Sequence, residues 1–217
     1  MIVTIDGPAG AGKSSISRRL ADELGFEFLD TGAMYRAVAL MGLRAKIDWD
    51  DTDRLVEFAK SATIDLSGRA VILDGEDVSH EIRSQEVTQV TRYAASNVGV
   101  REELVRLQRE FAEGKDVVTE GRDQGTLVFP HAECKIFLTA SPEERARRRV
   151  GDLARRGETV DFEDILQQQA KRDEEDTQRE VGPLLKAEDA VEVMTDGMSE
   201  VEVLQKLVGI VQRYQHA

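Results

Sequence analysis

The chain has 217 residues, enough for one sizeable core with small appended parts. Its net charge of −13 argues against DNA or RNA as the main partner but leaves a small anion possible. The single cysteine, Cys134, excludes an internal disulfide, and the scattered His80, His131 and His216 lack metal-ligand spacing. The sequence shows neither a signal peptide nor an apolar run long enough for a membrane span. A cytoplasmic protein is therefore expected.

The first predicted elements enclose a phosphate-binding loop. Residues 2–5 are β-branched like a buried strand, residues 7–14 read GPAGAGKS, and apolar residues then recur at helical spacing at Ile16, Leu20 and Leu24. Glycines let successive N–H groups converge on phosphate oxygens, while a lysine reaches the β and γ phosphates and a serine hydroxyl can bind Mg²⁺. The predicted nucleotide-binding residues are Gly7, Pro8, Ala9, Gly10, Ala11, Gly12, Lys13, Ser14 and Ser15, with Ser14 as the metal ligand. A glycine-rich turn without a ligand is the alternative.

A second strand at 26–29 leads into another amphipathic helix. This alternation predicts an α/β fold with a mainly parallel sheet. Ligands of such folds gather at the carboxyl ends of strands, which is where Asp30, Thr31 and Arg36 would lie.

The pattern changes from residue 47 to about 99. Three short strands at 62–66, 70–73 and 76–78, joined by turns at 67–68 and 74–75, predict an inserted antiparallel meander. A polar helix over about 85–95 and a longer one with Leu104, Leu107 and Phe111 in register follow it.

Three more strands, at 116–119, 135–139 and 190–194, bring the predicted core sheet to five. The third core strand ends in Glu120-Gly121-Arg122-Asp123. Ser141 and Pro142 predict a helix start, and a Ser199/Glu202 capping box predicts the start of the closing helix.

Basic residues cluster after the fourth core strand. They are Arg145, Arg147, Arg148, Arg149, Arg155 and Arg156. A solvated face paired with acidic residues and a mobile clamp over a polyphosphate both explain this cluster. A further helix predicted from about Asp161 carries Arg172, Asp176 and Arg179 on one face, as a surface ion-pair ladder or as part of a site.

Taken together, these motifs resemble bacterial cytidylate kinases. The matching segments are GPAGAGKS at 7–14, DTGAMYR at 30–36, DGEDV at 74–78, IR at 82–83, EGRDQGT at 120–126 with VFP at 128–130, and KRD at 171–173 with Asp176. They occur in order along nearly the whole chain. The resemblance implies transfer of the γ-phosphoryl group of ATP to CMP or dCMP with Mg²⁺. It favours a monomer and leaves the oligomeric state open.

The resemblance also implies a P-loop fold of the nucleoside-monophosphate-kinase type in three parts. The parallel five-stranded core would comprise residues 1–31, 113–145 and 180–217. The monophosphate-binding insertion would cover about 32–112, and a short lid with its flanking helices about 146–179.

Residue roles follow from the same resemblance. Thr31 and Arg36 would meet the acceptor phosphate. The cytosine would lie at Arg101, Arg122 and Asp123, and the ribose and phosphate at Arg172, Asp176 and Arg179. Lys13 and the lid arginines Arg145, Arg149 and Arg155 would stabilise the transition state.

The chain departs from the family pattern at three places. Thr31 stands where the family commonly has serine, Gln124 stands where it has methionine, and the stretch 88–101 lacks the usual serine-rich sequence with a proline. The roles of Thr91 and Ser96 stay open. The alternatives are a kinase for another monophosphate or for shikimate, a regulatory P-loop module, and a purely structural use of the fold.

Overall fold

A computed structural model describes residues 1–66, 70–155 and 157–215. Backbone contacts divide the chain into two compact units, residues 1–28 with 114–217, and residues 29–113. The predicted turn at 67–68, Arg156 and His216 lie outside the described residues. The division into core, insertion and lid stays a prediction.

The described residues form eight strands and eight α-helices. The strands are β1 (Ile2–Asp6), β2 (Glu27–Asp30), β3 (Ile64–Asp65), β4 (Ile72–Leu73), β5 (Glu76–Asp77), β6 (Val117–Gly121), β7 (Cys134–Thr139) and β8 (Val191–Met194). The helices are α1 (Lys13–Leu24), α2 (Thr31–Ala45), α3 (Thr52–Ser61), α4 (Gln85–Ser96), α5 (Val98–Ala112), α6 (Pro142–Arg155), α7 (Phe162–Thr177) and α8 (Glu200–Gln215). A 3₁₀ turn covers Glu81–Arg83, and a π-helical turn covers Gln124–Val128.

The central sheet has five parallel strands in the order β2-β6-β1-β7-β8, which confirms the predicted fold class. β1 lies in the middle, where Val3 pairs with Val118 on one side and with Cys134 on the other. Helices α1 and α8 pack apolar side chains such as Leu20 and Leu207 onto this sheet, and both residues are fully buried. The first strand is therefore held rigidly on both edges and one face, and it fixes the loop that follows it.

The second unit contains the predicted three-stranded antiparallel sheet, in the order β3-β4-β5. Each of its strands is shorter than predicted, with two residues. The turn between β4 and β5 is the predicted one, since Asp74 and Gly75 both have positive φ, at 52° and 85°. Helices α4 and α5 confirm the two helices predicted after the meander.

Two features differ from the sequence-based expectation. Helix α3 was not predicted; Asp51 caps it, and it buries Leu55 and Ala59, one turn apart. Helix α7 ends at Thr177, so Arg179 lies beyond it, and the prediction that Arg172, Asp176 and Arg179 share one helix face is wrong for Arg179.

No helix in the described part of the chain combines the length and the apolar character needed to cross a bilayer.

Candidate active site

The phosphate-binding loop joins β1 to α1 with a backbone path that requires glycine. Gly7 has a φ of +148°, and a Cβ atom at this position would stand 1.9 Å from the carbonyl oxygen of Leu138. Gly12 directly precedes α1 with a φ of 87°, in the left-handed region that other residues avoid. The loop can therefore pass close to β7 before it enters α1.

Lys13 is folded back across this loop. Its Nζ donates to the carbonyl oxygens of Gly7 at 2.7 Å and Pro8 at 2.8 Å, and the side chain is buried. Burial, with the positive charge of Arg122 adding to it, lowers the pKa of Lys13 from its ordinary 10.5 to about 7. The loop thus holds Lys13 in place, and at neutral pH the amine of Lys13 is only partly protonated.

The two serines after Lys13 have different partners. Ser14 Oγ donates to Glu120 Oε1 at 2.8 Å, and Ser15 Oγ donates to the Gly12 carbonyl oxygen at 3.1 Å. Glu120 belongs to β6 and is buried. A serine hydroxyl beside a carboxylate is a donor set that suits Mg²⁺, which in nucleotide sites takes one or two protein oxygens and completes its shell with phosphates and water.

A buried turn follows β6 and is fixed by the carboxylate of Asp6, the last residue of β1. Asp6 accepts hydrogen bonds from the backbone N–H of Gln124 at 2.9 Å and of Gly125 at 2.7 Å. Burial raises the pKa of Asp6 to about 7, although these two hydrogen bonds oppose the shift. Arg122 and Asp123 lie in this turn, and Asp123 is buried.

The side chain of Gln124 is also used within the turn. Thr119 Oγ1 donates to Gln124 Oε1 at 2.9 Å, and Gln124 is buried. The glutamine that stands where the family commonly has methionine thus has its carbonyl oxygen satisfied by a hydroxyl of β6.

Arg122 extends from the turn to the end of α7. Its Nε donates to Asp176 Oδ2 at 2.6 Å, and Arg179 pairs with the other oxygen of Asp176. Burial alone would raise the pKa of Asp176, but these arginines lower it, so the carboxylate is ionised. Arg179 is not on α7 but still joins this cluster, and Arg172, which is exposed on the helix, also favours the ionised carboxylate of Asp176 through its charge.

The basic cluster of α6 divides into buried and exposed arginines. Arg145 is buried, and Arg148 pairs with Glu144 and donates to the Thr195 carbonyl oxygen at 2.8 Å. Arg149 and Arg155 are exposed, and Arg155 pairs with Asp152. The exposed arginine paired with an acidic residue fits a solvated face, and the clamp over a polyphosphate stays a prediction.

The second unit carries the remaining predicted site residues. Arg36 Nη1 donates to Thr88 Oγ1 at 2.8 Å and to the Ile82 carbonyl oxygen at 3.2 Å. Arg101 is buried, and its guanidinium carbon lies 5.5 Å from the centre of the Tyr35 ring.

Thr31, the first residue of α2, is buried, and Asp30 caps that helix by accepting from the Ala33 N–H at 3.0 Å. The hydroxyl of Thr91, whose role the sequence left open, donates to the Val87 carbonyl oxygen at 2.6 Å within its own helix.

Comparison with known families matches residues 3–213 to the family described as cytidylate kinase. The chain belongs to the cytidylate kinase family. A curated cytidylate kinase of Rhodopirellula baltica is 56% identical over 211 residues, which cover 97% of this chain and 92% of that protein. One of Caldanaerobacter subterraneus is 48% identical over 205 residues, which cover 94% and 92%. The resemblance predicted from the motifs is confirmed, and with it an enzyme of the phosphotransferase class that uses ATP as donor and nucleotides as substrates.

Solved structures add a likeness of fold alone. A protein of Eubacterium ventriosum whose function is uncharacterised aligns with a TM-score of 0.51 and 13% identity over 98% of both chains. At this identity the likeness supports the arrangement of strands and helices and carries nothing about substrate.

Sequence reasoning missed several polar residues that shape the site of this cytidylate kinase family member. Asp6, Glu120, Gln169 and Asp173 each touch the phosphate loop or the turn after β6. Glu120 and Asp173 lie in segments that carry the family resemblance, but nothing in the sequence assigns them a role. Only the folded chain shows that their partners lie more than a hundred residues away.

Proposed function

We propose that this chain transfers the γ-phosphoryl group of ATP to CMP or dCMP and releases ADP and CDP or dCDP, in pyrimidine nucleotide metabolism. The observation that carries the proposal is the pairing of Asp6 with the turn after β6. One carboxylate at the end of β1 joins the start of the donor loop to the turn that holds Arg122 and Asp123. In parallel sheets, ligands bind at these adjacent strand ends.

On the donor side, residues 7–15 cradle the ATP phosphates with backbone N–H groups and the start of α1. Lys13 donates to the β and γ phosphates once they are bound. Mg²⁺ would be held by Ser14 with Glu120 beside it and would neutralise charge on the phosphates. The lid arginines Arg149 and Arg155 are exposed, with Arg155 paired to Asp152, while Arg145 has its Nε and Nη1 committed to protein partners.

On the acceptor side, Thr31 and Arg36 bind the monophosphate, and Arg101, Arg122 and Asp123 read the cytosine. Asp123 suits this role because a carboxylate accepts from the N4 amino group of cytosine but faces the O4 acceptor of uracil. Arg172, Asp176 and Arg179 bind the ribose and the phosphate. The Asp176 carboxylate, kept ionised by Arg122 and Arg179, is an acceptor for a sugar hydroxyl.

The reaction needs no general base. The attacking atom is a phosphate oxygen whose second pKa is about 6, so it is mostly ionised at neutral pH. Catalysis then rests on positioning and on positive charge around the transferring group, which an array of Lys13 and arginines supplies.

The test is ADP release by the purified protein with ATP and Mg²⁺, comparing CMP, dCMP, UMP, AMP, GMP and shikimate with no acceptor. Activity confined to CMP and dCMP, with UMP far weaker, is expected. Equal slow turnover with and without acceptors would contradict the proposal and indicate an ATPase or a switch. Strong turnover with shikimate or another monophosphate alone would reassign the acceptor.

In the same assay, Asp123→Asn should reduce the preference for CMP over UMP, because an asparagine amide can donate to O4. A loss of about tenfold in the ratio of kcat/KM values is expected, the size of one good base contact. Asp164→Asn, on the exposed side of α7, is the matched control. An unchanged ratio in Asp123→Asn would remove Asp123 from base reading.

We also infer that the protein acts as a cytoplasmic monomer, without a nucleic-acid polymer or a membrane as partner. The net charge of −13 supports a monomer, since copies repel each other, and argues against a polyanion as partner.

A further inference from the structure

Three side chains from α6 and α7 close on the first half of the phosphate loop. We call Arg145, Gln169 and Asp173 the loop clasp. Asp173 Oδ1 accepts from the Ala9 N–H at 3.3 Å, and Arg145 Nη1 donates to the Ala9 carbonyl oxygen at 2.9 Å. The clasp therefore engages both backbone polar groups of Ala9, its N–H and its carbonyl oxygen.

Hydrogen bonds also join the three residues of the clasp to one another. Arg145 Nη1 donates to Asp173 Oδ2 at 2.6 Å, and Gln169 Nε2 donates to the Arg145 carbonyl oxygen at 3.3 Å. Arg145 is further fixed through its Nε, which donates to the Ala140 carbonyl oxygen at 3.2 Å. The side chains of Arg145 and Asp173 are 6% and 20% exposed, so water screens their ion pair only weakly.

The clasp fits the loop closely at Gly10. A Cβ atom there would stand 2.7 Å from Gln169 Nε2 and 3.3 Å from Arg145 Cβ. Gly10 has a φ of +79°, and α7 thus contacts the loop where its backbone is least able to hold a shape by itself.

We propose that Asp173 is a positioning residue that holds the donor-phosphate loop in its binding shape through Ala9 and Arg145. This inference rests on the proposed function, in which the loop binds the ATP phosphates. The same helix carries Arg172 and Asp176, on either side of Asp173 and assigned above to the acceptor. One helix thereby supports the donor loop and contacts the acceptor.

Loss of the carboxylate should act mainly on the donor. Asparagine at 173 would turn its NH₂ group toward either the Ala9 N–H or the Arg145 guanidinium, so one donor would face another donor. The loop would then sample other shapes, and ATP binding would have to restore the ordered one, which weakens affinity.

The test compares Asp173→Asn with Glu175→Gln, which removes one carboxylate from an exposed position two residues along the same helix. Calorimetry measures the Kd of a non-hydrolysable ATP analogue without acceptor, and steady-state kinetics measure KM for ATP and for CMP. Asp173→Asn should raise the Kd and the KM for ATP about tenfold, the size expected for a hydrogen bond to a charged group, and change the KM for CMP much less. Glu175→Gln should leave all three within twofold of wild type.

Asp173→Glu keeps the negative charge and provides a second variant if the asparagine variant does not fold. Because its carboxylate is displaced by one methylene, it should bind the analogue more weakly than wild type. The proposal would be overturned if a folded Asp173→Asn bound the analogue as tightly as wild type, or if its KM values for ATP and CMP rose equally. If only Asp173→Glu folds, a Kd for the analogue equal to that of wild type would overturn it.

Failure of the proposed function would look different. If CMP is not the acceptor, wild type shows no CMP-dependent ADP release, but the analogue Kd still compares wild type with the variants. The clasp is therefore tested whichever acceptor the enzyme uses.

Discussion

At the scale of single residues, Lys13 couples ATP binding to pH. In the structure its ammonium is satisfied by two loop carbonyls, and burial, with Arg122 beside it, lowers its pKa to about 7. Bound phosphates favour the charged lysine and so raise that pKa again. A group whose pKa rises on binding takes up a proton, and affinity falls as pH increases above the pKa of the free state.

The Kd for the ATP analogue should therefore increase several-fold between about pH 7 and pH 8, the direction set by a free-state pKa near 7. Calorimetry in two buffers with different ionisation enthalpies should show proton uptake at the higher pH. Lys13→Met is the control; it should bind more weakly and show a flatter pH dependence, with the remainder due to Asp6, whose pKa is also raised to about 7. A wild-type affinity that is constant over this range would contradict the prediction.

Residues whose partners are close in sequence were the predictable ones. The Ser199/Glu202 capping box is confirmed by reciprocal hydrogen bonds, from Ser199 N–H to Glu202 Oε2 at 2.8 Å and from Glu202 N–H to Ser199 Oγ at 3.3 Å. Ala9 and Asp173 are 164 positions apart, and no spacing rule connects them. The sequence shows that residue 145 is an arginine, but it does not show that this side chain is buried against the phosphate loop.

At the scale of elements, α3 shows why a short helix escapes sequence analysis. It has ten residues, which is short of the window over which helical periodicity is told from a short apolar run, although Leu55, Val56, Phe58 and Ala59 do recur at helical spacing. Its start is marked by Asp51, whose side chain accepts from the Arg54 N–H at 3.1 Å. An aspartate followed by a charged turn is common outside helices as well, and therefore predicts little alone.

Asp51→Ala should lower the free energy of unfolding by about 1 kcal/mol, the usual value of an N-cap side chain. Urea unfolding followed by fluorescence is the measurement, since Trp49 is the single tryptophan and lies two residues before the cap. Asp51→Ser keeps a capping oxygen and should recover most of the loss. Asp50→Ala removes the same charge one position earlier and should have little effect, so equal losses in Asp50→Ala and Asp51→Ala would point to charge instead of capping.

At the scale of the whole molecule, the motifs identified the family and the number of core strands, and both are confirmed. The order of strands in the sheet was not predicted, because it depends on which strands pair across long stretches of chain. Five parallel strands allow several orders, and the periodicity of one strand carries no information about its neighbours. The structure supplies that order, and with it the placement of the loop after β1 beside the turn after β6.

The charge of the whole chain bears on its state of association. In the described part of the chain the exposed large hydrophobic residues are spread over α5, the segment before β8, β8 itself and α8. They are Val98, Leu185, Met194, Val201 and Tyr214. Isolated apolar side chains of this kind are normal on monomers, and a net charge of −13 makes two copies repel each other.

We therefore expect sedimentation equilibrium to give the monomer mass of 24.2 kDa. Salt is the informative variable, because at 0.1 M it screens charges that are more than about 10 Å apart and so weakens the repulsion between copies. If repulsion alone keeps the copies apart, mass will rise with salt; if the surface lacks a complementary patch, it will stay constant. We expect a constant mass at low and high salt, and twice the monomer mass at either would contradict a monomer.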